Sequence, residues 1–245
     1  MNSQYTSPFS SRFFFTALVL LGLAPALSHA ETAFRHDTIL GGRGNPTGLK
    51  LQTTGKLEVG LYESDSKLFE QNFVAPSLML SLSPANAKVG IGLTLQPLSI
   101  LALYAEAVGN QFFGSFRRLQ SFDTIGADYS DDTQITRAEE GLNYAAGGLQ
   151  LTLGSRFQIK KGPVAIIANV RGIWQDYALQ GDDAYFYESE LDILAQDRGW
   201  LIHSNVDALY FLNDEFILGL RHTHVRPIYD DIDSDSSKPS PNHRV

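Results

Sequence analysis

From Thr47 to Val225 period-two alternation of apolar side chains dominates, which points to extended structure over most of this stretch. In "KVGIGLTLQ" Val89, Ile91, Leu93 and Leu95 alternate with Gly90, Gly92, Thr94 and Gln96. In "GLQLTLGSRFQI" Leu149, Leu151, Leu153, Phe157 and Ile159 alternate with Gln150, Thr152, Gly154, Arg156 and Gln158. No long segment keeps the i, i+3, i+4, i+7 spacing of an amphipathic helix. The pattern predicts an all-β chain with strands over 47–53, 57–64, 73–82, 88–96, 99–108, 144–159, 164–176, 199–212 and 216–226. Several approach the roughly 9–11 residues of a tilted membrane strand. Glycines recur on the polar face, where strands bend tightly.

Facing residues of a hairpin share a face, so loop length must have the right parity. In "SNVDALYFLNDEFILGLR" a three-residue loop, Asn213 to Glu215, sets Tyr210 against Leu218, Ala208 against Leu220 and Asp207 against Arg221. A two-residue loop would oppose Asp207 to Leu220. Such loops usually want glycine in the left-handed position, where Glu215 stands. At "IKKGPV" a loop of Lys160 to Pro163 pairs Ile159 with Val164, Phe157 with Ile166 and Leu153 with Val170. At "SPANAK" a loop of Pro84 to Ala87 keeps Leu82 and Val89 on one face.

The first thirty residues read as an export signal, with Arg12 as the positive region and "FFFTALVLLGLAPAL" as a short apolar run. Small residues at Ser28 and Ala30 predict cleavage after Ala30. The whole chain carries a net charge of −8, and losing Arg12 makes it one unit more acidic, which argues against nucleic acid as a partner. With no cysteine, neither a disulfide-stapled domain nor a lipid-acylated N-terminus is available. No other apolar run reaches the roughly 20 residues of a membrane helix.

In the second half short connections ("QPLS", "KKGP", "NDE") alternate with long ones (109–143, 177–198 and the tail from Pro227). On the apolar face Trp174 and Trp200 fall at the long-loop ends of their strands, and Phe157, Tyr210 and Phe216 at the short-turn ends. In this pattern the chain resembles the outer-membrane β-barrel proteins of Gram-negative bacteria, whose short turns face the periplasm and whose aromatic girdles mark the two membrane interfaces. The resemblance covers most of the chain after the signal and rests on no diagnostic motif.

It implies an antiparallel up-and-down transmembrane β-barrel of about 8–10 strands in the outer membrane, with lipid against the apolar face. Lys50, Glu58, Glu106, Arg156, Arg171, His203, Asp207 and Arg221 would then line the lumen. The rival fold is a soluble β-sandwich, on which the same charges would simply meet bulk water. Barrels of this kind commonly end on an aromatic-terminated strand, whereas this chain finishes "DDIDSDSSKPSPNHRV", so either the first two short strands are miscounted or the barrel is incomplete at its C-terminus, as in a truncated or frameshifted member of a larger family. The domain plan is signal peptide 1–30, N-terminal extension 31–46, barrel 47–226 and polar acidic tail 227–245.

Ser204 and His224 come opposite each other on the apolar face, resembling the pair in outer-membrane phospholipases, where a histidine takes the proton of an attacking hydroxyl. No third residue orients the histidine and no "GxSxG" accompanies the serine, so interfacial polar residues are the plainer account. "RHTHV" places His222 and His224 at strand spacing without a third metal ligand. "YDDIDSDSS" and "ADYSDDT" lack the spacing of a calcium loop. "GGRGNPTG" lacks a phosphate-loop lysine, and its glycines suit a loose approach to the first strand. The loop aromatics of "FFGSF" and "YFY" form a recognition surface or pack loop against loop. The sequence therefore predicts a protein without metal, cofactor or catalysis, serving an envelope or loop-mediated interaction role. A passive channel for small solutes is the alternative, and a lipid hydrolase a more distant one.

Overall fold

The computed structural model describes residues 32–44, 47–213 and 215–229, and the backbone of 242–244. The expected signal peptide and most of the expected tail lie outside the described residues. Nine long strands run up and down in one antiparallel sheet: β1 (Thr32–Gly44), β2 (Thr47–Gly60), β3 (Phe73–Leu82), β4 (Asn86–Leu98), β5 (Leu101–Phe113), β7 (Ala145–Lys161), β8 (Val164–Tyr177), β11 (Trp200–Phe211) and β12 (Ile217–Ile228). A short β13 (Asn242–Arg244) pairs with β12, inside the stretch expected to be tail. Among the described residues no pairing joins β1 to β12 or β13, so the sheet has two edges.

The remaining elements belong to the two long connections. β6 (Ser121–Phe122), β9 (Tyr185–Glu188) and β10 (Ile193–Gln196) form a small second sheet, accompanied by α1 (Asp131–Glu139). Both connections leave the same end of the large sheet, here called the cap end.

Alternation sorts the large sheet into two unlike faces. Leu80, Ile91, Leu153, Ile166 and Leu220 lie on one face and stay exposed, Ile91 by 66% and Leu220 by 62%. Among the described residues no second layer covers them, unlike the facing sheets of a sandwich. The polar face curls inward: one space of about 600 Å³ is bounded by residues of seven strands, from Asp37 on β1 to Arg171 on β8.

Two tyrosines show how tightly the concave side is drawn together. Tyr104 on β5 lies over Gly154 on β7, its partner in register, and its hydroxyl donates to Asn169 Oδ1 on β8 at 2.9 Å. Tyr177 on β8 lies over Gly148 on β7 and accepts from Asn110 Nδ2 on β5 at 3.2 Å. A Cβ at either glycine would overlap the ring above it, so only glycine admits these crossings.

Several expectations change. Within the stretch expected as an N-terminal extension, Thr32–Gly44 is a full strand, with Leu40 opposite Leu51 and Phe34 opposite Leu57. The strands expected at 47–53 and 57–64 are one, because Gly55 takes a strand position whose Cβ site is 3.4 Å from the Phe34 ring. The "NDE" hairpin has the predicted register, Asp207 facing Arg221 and Tyr210 facing Leu218. Asn213 Oδ1 there accepts from the backbone N–H of Glu215 at 2.9 Å and of Phe216 at 2.8 Å, which holds the turn without glycine.

The other two hairpins keep the predicted parity but shift by two residues, with Ile159 facing Ile166 and Leu80 facing Val89. Gly162 takes a φ of 59°, permitting a tight two-residue turn with Pro163. At the other turn Ser83 and Asn86 bond across Pro84 and Ala85.

Substituting Gly154→Val should force Tyr104 off β7 and destabilise the fold by about 1–3 kcal/mol. Chemical denaturation checks this, and pairing Gly154→Ala with Tyr104→Ala should recover part of the loss. An unchanged midpoint for Gly154→Val would contradict the crowding seen here.

Candidate functional site

Strand parity brings the polar side chains of neighbouring strands together on the concave face. Lys50 and Glu58 stand there from β2, Glu106 from β5, Arg156 from β7, Arg171 from β8, His203 and Asp207 from β11 and Arg221 from β12. Glu58 is paired with Arg35 at 3.1 Å and Asp207 with Arg221 at 2.5 Å. The second pair is two-pronged, since Arg221 Nη2 also donates to Asp207 Oδ2 at 2.9 Å. Arg171 Nε donates to His203 Nδ1 at 2.8 Å, which leaves that ring nitrogen as the acceptor.

Three spaces follow one another along this face. One of about 530 Å³ opens at the cap end between the β1–β2 hairpin, the β3–β4 turn and the cap. It shares Lys50 and Glu190 with the central space of about 600 Å³. The central space shares Lys56, Thr94, Glu106 and Arg171 with a third, of about 420 Å³, which continues past Arg156 and Gln158.

The long connections fold into a cap with an apolar core of its own. Leu119, Phe186, Ile193 and Ala195 from the connections pack on Ala146, Ile173, Tyr177, Leu201 and Val225 at the cap end of the concave face. Phe122, Tyr187 and Leu194 make a second cluster above it. Tyr177 meets Phe186 edge-on at 5.0 Å, Tyr129 stacks on Tyr187 at 5.9 Å, and Arg137 lies 4.4 Å from the Phe122 ring centre. "YFY" is thus mostly buried, while in "FFGSF" Phe112 packs on the core and Phe113 and Phe116 remain exposed.

Between β9 and β10 the turn at 188–192 carries three carboxylates, of which Glu190 bonds the large sheet. The turn is pinned by itself: Leu191 N–H donates to Glu188 Oε2 at 2.9 Å, Asp192 N–H to the Glu188 carbonyl at 2.8 Å, and Tyr187 OH to Asp192 Oδ1 at 2.8 Å. Glu190 receives Lys88 Nζ at 2.7 Å. Attraction to Lys88, with further help from Lys50 and Arg171, holds the Glu190 carboxyl down to about 2. Glu188 goes the other way, because burial and then the neighbouring Glu190 charge push its carboxyl up.

The five aromatics singled out from the sequence fall at two levels of the convex face. Trp174 and Trp200 oppose each other at the cap end, and Phe157, Tyr210 and Phe216 lie toward the other end. Ser204 and His224 are opposed in register, as are His224 and His243 in the backbone of β13. Among the described residues β11 and β12 bring no carboxylate to that face to orient the imidazole, and no group of three His, Cys, Asp or Glu could hold a metal. In "ADYSDDT" Asp128 is spent on the start of α1, accepting from Ser130 N–H at 2.9 Å and Thr133 Oγ1 at 2.6 Å. The glycines of "GGRGNPTG" belong to the β1–β2 hairpin.

Lys88 and Glu190 are the residues that reading the sequence missed. Lys88 shares the parity of Gly90, Gly92 and Thr94, so alternation alone could have placed it on the polar face. Glu190 sits in a connection more than a hundred residues away, and no periodicity links the two.

Phe186→Ala should cost the cap about 3–5 kcal/mol and open the chain to trypsin at Arg117, Arg118, Arg137 and Arg198 while the large sheet stays resistant; an unchanged digest would contradict a packed cap. The Glu190 carboxyl, at about 2 against an ordinary 4.5, supports the turn fully above pH 4.5 and loses that support as pH falls toward 2. Amide exchange over 188–192, corrected for its intrinsic pH dependence, should therefore stay slow down to about pH 5 and quicken below about pH 4. Compared with protein-family models, with curated proteins and with solved structures, the chain matches none, so its function has to be read from its own geometry.

Proposed function

We propose that the chain is a membrane-embedded β-barrel protein of the outer membrane, with its convex face against lipid and its concave face around an aqueous interior. The observation that carries this is the distribution of charge. From β2 to β11 the convex face holds no Asp, Glu, Lys or Arg between the strand ends, where Lys161 and Asp176 stand, although leucine, isoleucine and valine crowd it. An apolar area spanning so many strands far exceeds the few hundred Å² that soluble monomers leave bare. Hydrocarbon accepts such a face where the backbone is paired from strand to strand, as it is here from β1 to β12 except along the two sheet edges. The two aromatic levels fit the two interfaces of a bilayer.

The protein's role on this reading is structural or interactive, through the folded cap, and involves no covalent chemistry. One observation favours the passive passage of small solutes as a second reading: the three spaces on the concave face share lining residues from the cap end past Arg156. Closure of the sheet into a barrel is part of the proposal, by pairing of the β1 edge with the edge formed by β12 and β13.

Fractionation should put the protein with outer membranes, and in detergent its unheated form should migrate differently from its boiled form on a gel. In bilayers made with brominated lipids, Trp174 and Trp200 should be quenched by shallow bromines more than by deep ones. Recovery in the aqueous fraction with no quenching would refute membrane insertion. Discrete conductance steps in a planar bilayer would establish the solute path, and their absence would leave the structural role alone.

A further inference from the structure

We propose that Lys50, Lys88 and Arg171 form a binding site for a small dianionic solute of the carboxylate class, and that Glu190 of the cap is its built-in competitor. The interior is cationic in a chain whose net charge is −8. Lys50, Lys56, Lys88, Arg156 and Arg171 line the central and third spaces, against Asp37, Glu58, Glu106 and Glu190. Glu58 is already engaged by Arg35, and Glu190 is brought by the cap rather than by the sheet. The wall by itself therefore presents a surplus of positive charge to its cavity.

The structure shows what such a cluster takes. A carboxylate, that of Glu190, sits on Lys88 at 2.7 Å and is drawn further by Lys50 and Arg171. About half of the Glu190 side chain stays accessible (53%), whereas Lys88 is largely enclosed (13%). Incoming solute thus reaches the carboxylate from the cavity without first dismantling the wall. Glu190 and Lys50 line both the space at the cap end and the central space, so the ion pair stands where the two meet. The turn around Glu190 has bonds of its own as well, from Leu191 to Glu188 and from Tyr187 to Asp192, so loss of the Lys88 contact loosens the turn without dismantling it. A dianion offers the cations two charges against the single charge of Glu190, and at millimolar concentration it displaces the side chain. A single-site competitor lowers apparent affinity by the fraction of time the site is free.

The inference rests on the proposed aqueous interior, and its test is read separately from membrane insertion. Full-length protein, purified in detergent at fixed ionic strength, is titrated with succinate and, in parallel, with inorganic phosphate by calorimetry. Saturable binding is expected, tightened about tenfold in Glu190→Ala and lost by at least about tenfold when Lys88→Gln or Arg171→Gln is added. Phosphate binding in place of succinate, with the same dependence on the variants, supports the site and assigns it to tetrahedral oxyanions. No saturable binding in Glu190→Ala, or binding indifferent to the lysine and arginine variants, overturns the proposal. Should Lys88→Gln fail to fold, Lys50→Gln and Arg171→Gln carry the same decision. Heat-dependent gel migration without anion binding refutes this site alone, and anion binding by a protein found in the aqueous fraction refutes only the membrane reading.

Discussion

The period-two geometry of the extended backbone is the constraint on which the rest depends. Side chains leave a strand on alternate faces, so one sequence pattern writes two surfaces at once. Here the apolar surface is the outer, convex one and the polar surface is the inner, crowded one. That inversion of the usual soluble arrangement accounts for the glycines under Tyr104 and Tyr177, since only the concave side brings side chains of second-neighbour strands into contact.

The apolar interior that a soluble domain would place between layers is found instead in the cap. Phe186, Leu194 and Leu119 are almost completely buried there, whereas the leucines on the apolar face of the large sheet are not. The cap completes itself against the concave face through Ile173, Tyr177 and Leu201, the apolar residues standing at positions whose parity is otherwise polar. Their departure from alternation near the cap end is what lets the connections dock. The acidic turn at 188–192 then follows from docking, because the β9–β10 hairpin is held above the wall and its tip meets Lys88.

Much of this was legible in the sequence. Seven of the long strands came from alternation as single strands and β2 came as two pieces; the two faces and the parity of the hairpins came from it too, and Asp207 opposite Arg221 came from parity joined to charge matching. Other parts were hidden for identifiable reasons. β1 alternates poorly, with His36 and Thr38 beside Phe34 and Leu40 on the same face, so its pattern is faint without its partner strand. Gly55 looks like a turn because glycine often is one, and only the ring of Phe34 beside it shows why the strand continues. Two hairpins were off by two residues because parity cannot tell a two-residue turn from a four-residue one.

The sequence by itself determined that the chain is built of antiparallel strands and which side chains share a face, since both are consequences of local backbone geometry. The tertiary structure alone decided which face is concave, where the long connections fold, and that Glu190 stands on Lys88. Those depend on curvature and on contacts between segments far apart in the chain, and a pattern of neighbours along one dimension carries no record of either.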